Sequence, residues 1–97
     1  MTRMNFPLVS VVIPAYNQAD YVGETIRSVL DQTYSRIEIL VVNDASPDNT
    51  SDVVLSFNDP RIKLLEHERN LGLPAARNTG IRASHGELIA LLDADDF

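Results

Sequence analysis

The stretch Val9–Val42, "VSVVIPAYNQADYVGETIRSVLDQTYSRIEILVV", decides the fold. It opens on an apolar run, Val9–Pro14, and closes on another, Ile37–Val42. Both have strand length and little alternation, the pattern of strands buried on both faces. Between them Val22, Ile26, Val29 and Leu30 fall at i, i+4, i+7 and i+8, which makes one apolar helix face. Strand, helix and strand joined by a connection too long for a hairpin give parallel strands and a right-handed crossover.

The pattern repeats downstream. Two further runs of strand length are Ile62–Glu66 and Leu88–Leu92, and the second again reads as a strand buried on both faces. "SPDNTSDVVLSF" starts with capping residues and sets Val53, Val54 and Phe57 on one side of a helix. "LGLPAARNTGIRASHG" places Pro74 in a first helical turn and Gly86 past the end. Gly80 lies inside that helix at a cost of about 1 kcal/mol against alanine, which close packing of helix on sheet explains. The order β-α-β-α-β-α-β predicts an α/β fold of three layers, α/β/α, around a mostly parallel four-stranded sheet. No repeat, linker or low-complexity tract divides residues 1–97, so we expect a single domain.

Bulk composition narrows the function. A formal net charge of −6 argues against a non-specific nucleic-acid binder, which carries a basic face. It leaves room for a phosphate ligand bridged by a cation. The chain has no cysteine, so disulfide frameworks and thiolate zinc sites are excluded. The N-terminus "MTRMNFPLVS" has no signal-peptide pattern, and no apolar run approaches the length of a membrane span. We therefore expect a cytoplasmic protein. P-loop, G-x-G-x-x-G and G-x-S-x-G motifs are also absent from the sequence.

Ligands of open α/β sheets sit outside the carboxyl ends of the strands, where strand order reverses. The four segments that follow the strands are "PAYNQAD", "NDASPDNT", "HERNLGLPAARN" and "DADDF". All are polar or ionisable. Asp44 ends the second strand and either accepts from a nucleoside hydroxyl or base N–H, or, like Ser46, caps the next helix. Arg77, in the first turns of the third helix, suits a phosphate or a surface ion pair. Asp93 and Asp95 are two residues apart and point the same way while the backbone stays extended. Close carboxylates repel, and a hard divalent cation such as Mg²⁺ or Mn²⁺ relieves them. The other reading is a solvated acidic end. His85 is expected to be structural, at a helix terminus. His67 lies in a loop with no role assigned.

Four ordered motifs, "PAYN", "NDAS.D.T", "NLG...ARN.G" and "LDADD", together resemble the N-terminal half of family 2 glycosyltransferases, the inverting GT-A-fold enzymes. The resemblance runs from about Pro7 to Phe97. It implies a nucleotide-diphosphate sugar donor, most often UDP-linked, and a divalent metal, Mn²⁺ or Mg²⁺. It implies a nucleotide site of Pro14, Ala15, Tyr16, Asn17, Asp44, Arg77, Asp93 and Ala94, with Tyr16 on the base and Asp44 on uracil or ribose. Asp95 would be the metal ligand and Asp93 would contact the ribose side. In the family the general base lies beyond the D-x-D motif, so no catalytic residue is assigned here. The expectation is a donor-binding half, inactive alone, whose acceptor half and general base lie in later sequence. The competing reading is a stand-alone nucleotide-binding α/β module. An uncovered Leu88–Leu92 strand would invite pairing between chains, so a homodimer or higher oligomer is expected.

Overall fold

The computed structural model describes residues 6–94. The elements run β1 (Val9–Ala15), α1 (Ala19–Leu30), β2 (Ile37–Asn43), α2 (Thr50–Leu55), β3 (Ile62–Glu66), α3 (Leu73–Ala83) and β4 (Leu88–Leu91). The four strands form one sheet in the order β3-β2-β1-β4, and every pairing is parallel. The chain therefore steps from β1 to β2 to β3 in one direction and returns past β1 to lay down β4. Right-handed crossovers in opposite directions place their helices on opposite faces. So α1 and α2 share one face and α3 covers the other, which is the three-layer α/β/α arrangement expected from the sequence.

Alternate residues of β1 and β2 serve the two faces. Val11, Ile13, Ile37, Ile39 and Val41 join Val22, Ile26 and Val29 of α1 and Val54 of α2 in one buried cluster. Val12, Leu40 and Val42 point the other way, and all three are fully buried. There α3 lies close on the sheet. A β-carbon built on Gly80 would sit 2.3 Å from Val12 Cγ1, so the glycine marks helix-on-sheet contact, as its position suggested.

At the amino ends of the strands a carboxylate is buried. Glu38 lies beside Ser10 in the β1–β2 register and accepts its hydroxyl proton at 2.6 Å. The His85 N–H also donates to Glu38, Lys63 Nζ stands 3.4 Å away, and the Gly86 N–H donates to Ser10 Oγ at 2.8 Å. This cluster ties the α3–β4 connection to the two central strands. His85 is structural, through Glu38 rather than through the last carbonyls of α3. Gly86 is required because a β-carbon there would lie 2.4 Å from Ser10 Oγ.

One expectation is corrected. The fourth strand is not buried on both faces: all four residues of β4 are exposed, Leu88 by 56% and Leu91 by 51%. Its apolar composition reflects a surface suited to cover, while its place in the strand order leaves it at the sheet edge.

Candidate functional site

A cleft of about 400 Å³ opens at the carboxyl ends of the strands, between the ends of β1 and β2, the start of α3 and the segment after β4. This is the point where strand order reverses. Pro14, Ala15, Tyr16, Asp44, Asp93 and Ala94 line it, six of the residues singled out in the sequence. Gln18, Asn70, Gly72, Leu73 and Ala76 complete the wall and were not anticipated. Asn17 and Arg77 are placed next to the cleft rather than on its wall. Asn17 adopts φ 55°, and its N–H donates to Ser46 Oγ at 2.9 Å. That bond joins the β1–α1 turn to the β2–α2 turn.

Asp44 is neither exposed nor a helix cap. Its side chain is 4% exposed, and its partners lie in the 67–72 loop. Oδ1 accepts from the Leu71 N–H at 2.9 Å and contacts His67 Nδ1 at 2.7 Å, and Oδ2 accepts from the Gly72 N–H at 2.9 Å. Burial alone would raise the carboxyl pKa. Burial is outweighed by the hydrogen bonds from His67, Leu71 and Gly72, which lower it, so Asp44 is ionised. Gly72 holds φ 96°, a left-handed backbone that suits glycine, and its carbonyl accepts the Ala76 N–H to begin α3. Asp44 thus sets both the 67–72 loop and the origin of α3.

The capping role belongs to Asp48. It accepts from the Ala19 N–H at 3.0 Å and the Thr50 N–H at 3.1 Å, so one carboxylate holds the starts of α1 and α2. Burial opposes ionisation there too, yet the Thr50 and Ala19 bonds leave its carboxyl lowered.

Asp93 follows β4 at the cleft mouth, with its side chain 46% exposed. Arg77 Nη2 lies 3.4 Å from Asp93 Oδ1, so the ion-pair reading of Arg77 is realised, with this carboxylate beside the cleft as the partner. Arg77 Nε is buried without a hydrogen-bond partner among the described residues. Strand β4 ends at Leu91, and Ala94 lies in a turn. Asp95 lies outside the described residues. Among the described residues no group of three or more His, Asp or Glu side chains is placed to hold a metal ion. Asp93 does supply a partly free, hard oxygen donor of the kind a divalent cation takes. Tyr16, 45% exposed, also lines the cleft.

Sequence reasoning gave His67 no partner. The structure seats it between Asp44 and Thr79, whose Oγ1 is 2.8 Å from Nε2. The signal was present in the register. Asn43 pairs with Glu66 in the parallel β2–β3 ladder, so the next residue of each strand, Asp44 and His67, must emerge side by side.

A parallel α/β sheet with a polar cleft at its switch point defines a class of ligand-binding α/β domains. The chain belongs to glycosyl transferase family 2, whose model matches residues 10–97. It is 48% identical over 90 residues to UDP-Glc:alpha-D-GlcNAc-diphosphoundecaprenol beta-1,3-glucosyltransferase WfgD of Escherichia coli, covering 93% of this chain and 36% of that one. It is 44% identical over 93 residues to the uncharacterized glycosyltransferase EpsJ of Bacillus subtilis, covering 94% of this chain and 27% of that one. Among solved structures it resembles the mannosyltransferase PcManGT of Pyrobaculum calidifontis in complex with GDP-Man and Mn²⁺, with TM-score 0.85 and 33% identity over 92% of this chain and 28% of that one. Residues 1–349 of S. aureus TarS in complex with UDP-GlcNAc match with TM-score 0.85 and 32% identity, over 91% of this chain and 26% of that one. The chain therefore spans about a third of the length of the relatives it matches. Among the described residues no helix is long and apolar enough to cross a membrane.

Proposed function

We propose that this chain carries the donor-nucleotide site of an inverting glycosyltransferase that transfers a sugar from a nucleotide diphosphate, UDP-linked, to an acceptor hydroxyl in polysaccharide assembly. The observation that carries the reading is the cleft itself. It joins a buried ionised acceptor, Asp44, an aromatic lip, Tyr16, and a carboxylate–guanidinium pair, Asp93 and Arg77, at the switch point of the sheet. Ala15 and Ala76, both nearly fully buried, give a smooth floor on which a planar base can lie. Asp44 accepts from the base or ribose, and Tyr16 packs on the base. Pro14 and Ala94 shape the walls, and Asn17 fixes the turn that presents Tyr16. A UDP donor in TarS and a GDP donor with Mn²⁺ in PcManGT support the ligand class.

Asp95, with Asp93 beside it, would hold a divalent cation, Mn²⁺ or Mg²⁺. When bound, the ion neutralises charge on the departing diphosphate. Arg77 keeps Asp93 oriented toward the cleft, and Asp93 meets the ribose side of the ligand. No residue of 1–97 is assigned as the general base that deprotonates the acceptor. We place the reaction in the cytoplasm or at the cytoplasmic face of a membrane. The exposed edge of β4, with Leu88, Ile89 and Leu91, pairs with a second copy of the chain. A monomeric mass by light scattering at high concentration contradicts that association.

Calorimetry with UDP and Mn²⁺ tests the reading. Binding by the wild-type chain that weakens in Asp44→Asn and in Asp95→Ala is expected. Absence of heat with the wild type, or equal binding by both variants, overturns it.

A further inference from the structure

We infer that His67 is a positioning residue for nucleotide recognition: its Nδ1–H fixes the rotation of the Asp44 carboxylate, so that one oxygen lone pair faces the cleft. The inference rests on the donor-nucleotide reading of the cleft and deepens it.

Hydrogen-bond counting leads to this role. A carboxylate offers four acceptor positions. Among the described residues three donors reach Asp44: Leu71 N–H and His67 on Oδ1, and Gly72 N–H on Oδ2. Oδ1 is filled, and the open position is on Oδ2. An ionised carboxylate can only accept, so the proton shared with His67 resides on the imidazole Nδ1. The far side of the ring agrees in either protonation state. Thr79 Oγ1 lies 2.8 Å from His67 Nε2 and 3.0 Å from the Ala75 carbonyl. A hydroxyl has one proton. If Thr79 donates it to Ala75, Nε2–H donates to Thr79 and the ring is an imidazolium. If Thr79 donates it to Nε2, the ring is neutral. Nδ1 carries a proton in both cases.

The geometry also makes the constraint stiff. The His67 side chain is 9% exposed, and its own N–H donates to the Asn43 carbonyl at 2.9 Å. The ring is therefore held by β2 through its backbone and by α3 through Thr79. It links the strand that delivers Asp44 to the helix that forms the opposite wall. The two backbone donors come from the 67–72 loop alone. His67 supplies the side-chain donor that locks Oδ1 and turns Oδ2 outward.

Two isosteres separate this role from packing. Asparagine at 67 places an amide N–H where Nδ1 stands, and glutamine places one where Nε2 stands. In His67→Asn the amide protons of Leu71 and Gly72 keep their wild-type NMR shifts without ligand, and UDP affinity stays within about twofold. In His67→Gln both amide resonances move, and UDP affinity falls about tenfold. Melting temperature is followed in both. Thr79→Val, which keeps the side-chain shape and removes the hydroxyl, is the milder variant. It moves the same resonances in the same direction by less, and serves if a His67 variant does not fold. Unmoved Leu71 and Gly72 amides in every variant overturn the inference, as does equal loss in His67→Asn and His67→Gln. If the wild type fails to bind UDP, the donor reading falls, while the ligand-free amide shifts still decide whether His67 holds Asp44.

Discussion

Gly80→Ala and Gly23→Ala make the same chemical change inside two helices, and the structure gives them opposite signs. Each replaces a mid-helix glycine, which by propensity alone adds about 1 kcal/mol of stability. At Gly80 the new methyl would meet Val12 Cγ1 at 2.3 Å, Cγ2 at 3.2 Å and Cβ at 3.3 Å. Carbon atoms settle at about 3.5–4.0 Å, so the helix must retreat by roughly 1.2 Å. Val12 cannot yield: it is β-branched, fully buried and in a strand paired on both sides. Overpacking costs about 1–3 kcal/mol, and the rigid neighbour puts this site at the upper end. The net is a loss of about 2 kcal/mol, or a melting point lower by about 8–16 °C for a chain this size. At Gly23 the nearest atom is Val53 Cγ1 at 3.3 Å, with Phe57 at 3.9 Å. Val53 is only partly buried on the short helix α2, so it gives way, and propensity wins by about 0.5–1 kcal/mol. Because α3 also carries Leu73 and Ala76 on the cleft wall, with Gly72 just before it, Gly80→Ala weakens UDP binding and Gly23→Ala leaves it unchanged. Parallel thermal and urea denaturation measures both. A Gly80→Ala variant that melts at or above the wild type refutes the claim that α3 is seated on Val12.

Two further predictions concern the carboxylates that brace the scaffold. Burial would raise the Glu38 carboxyl, but the bonds from Ser10, His85 and Lys63 prevail and hold it at about 2 against its ordinary 4.5. A depressed folded-state pKa stabilises the fold above about pH 4.5 and loses that contribution as pH falls toward 2. Its full size is about 3 kcal/mol, so Glu38→Gln should flatten the stability profile between about pH 5 and 2, measured by urea midpoints across that range. Asp48→Ala removes the acceptor for Ala19 and Thr50 and should cost about 1–2 kcal/mol, whereas Ser46→Ala, which frees only the Asn17 N–H, should cost less. Equal urea midpoints for the two variants would contradict a cap shared by α1 and α2.

What the sequence made legible was whatever repeats along the chain. Apolar runs and the i, i+4, i+7 pattern of Val22, Ile26 and Val29 are local, so the strands, the helices and the switch-point location could all be read. Even so, element ends moved: β1 runs on through Ala15 and β2 through Asn43. Leu88–Leu91 shows the limit of the apolar signal. Hydrophobicity says that a strand favours cover, and only strand order says whether cover is present. Periodicity also hid Glu38, a lone charge in "IEILVV" whose partners come from β1, β3 and the α3–β4 connection.

His67 and Asp44 carry the same lesson one step further. They are 23 residues apart, and neither belongs to a periodic pattern. Yet once the sheet is known to be parallel in the order β3-β2-β1-β4, the ladder alone brings their side chains together at the carboxyl edge. Topology thus turns two unrelated loop residues into neighbours, and the chemistry then follows from their types. A buried carboxylate needs donors, and an imidazole can supply one to β2 while its other nitrogen reaches α3. In a parallel sheet, the residues that first leave paired strands at the same level are the pairs to test for a shared polar role before any loop conformation is known.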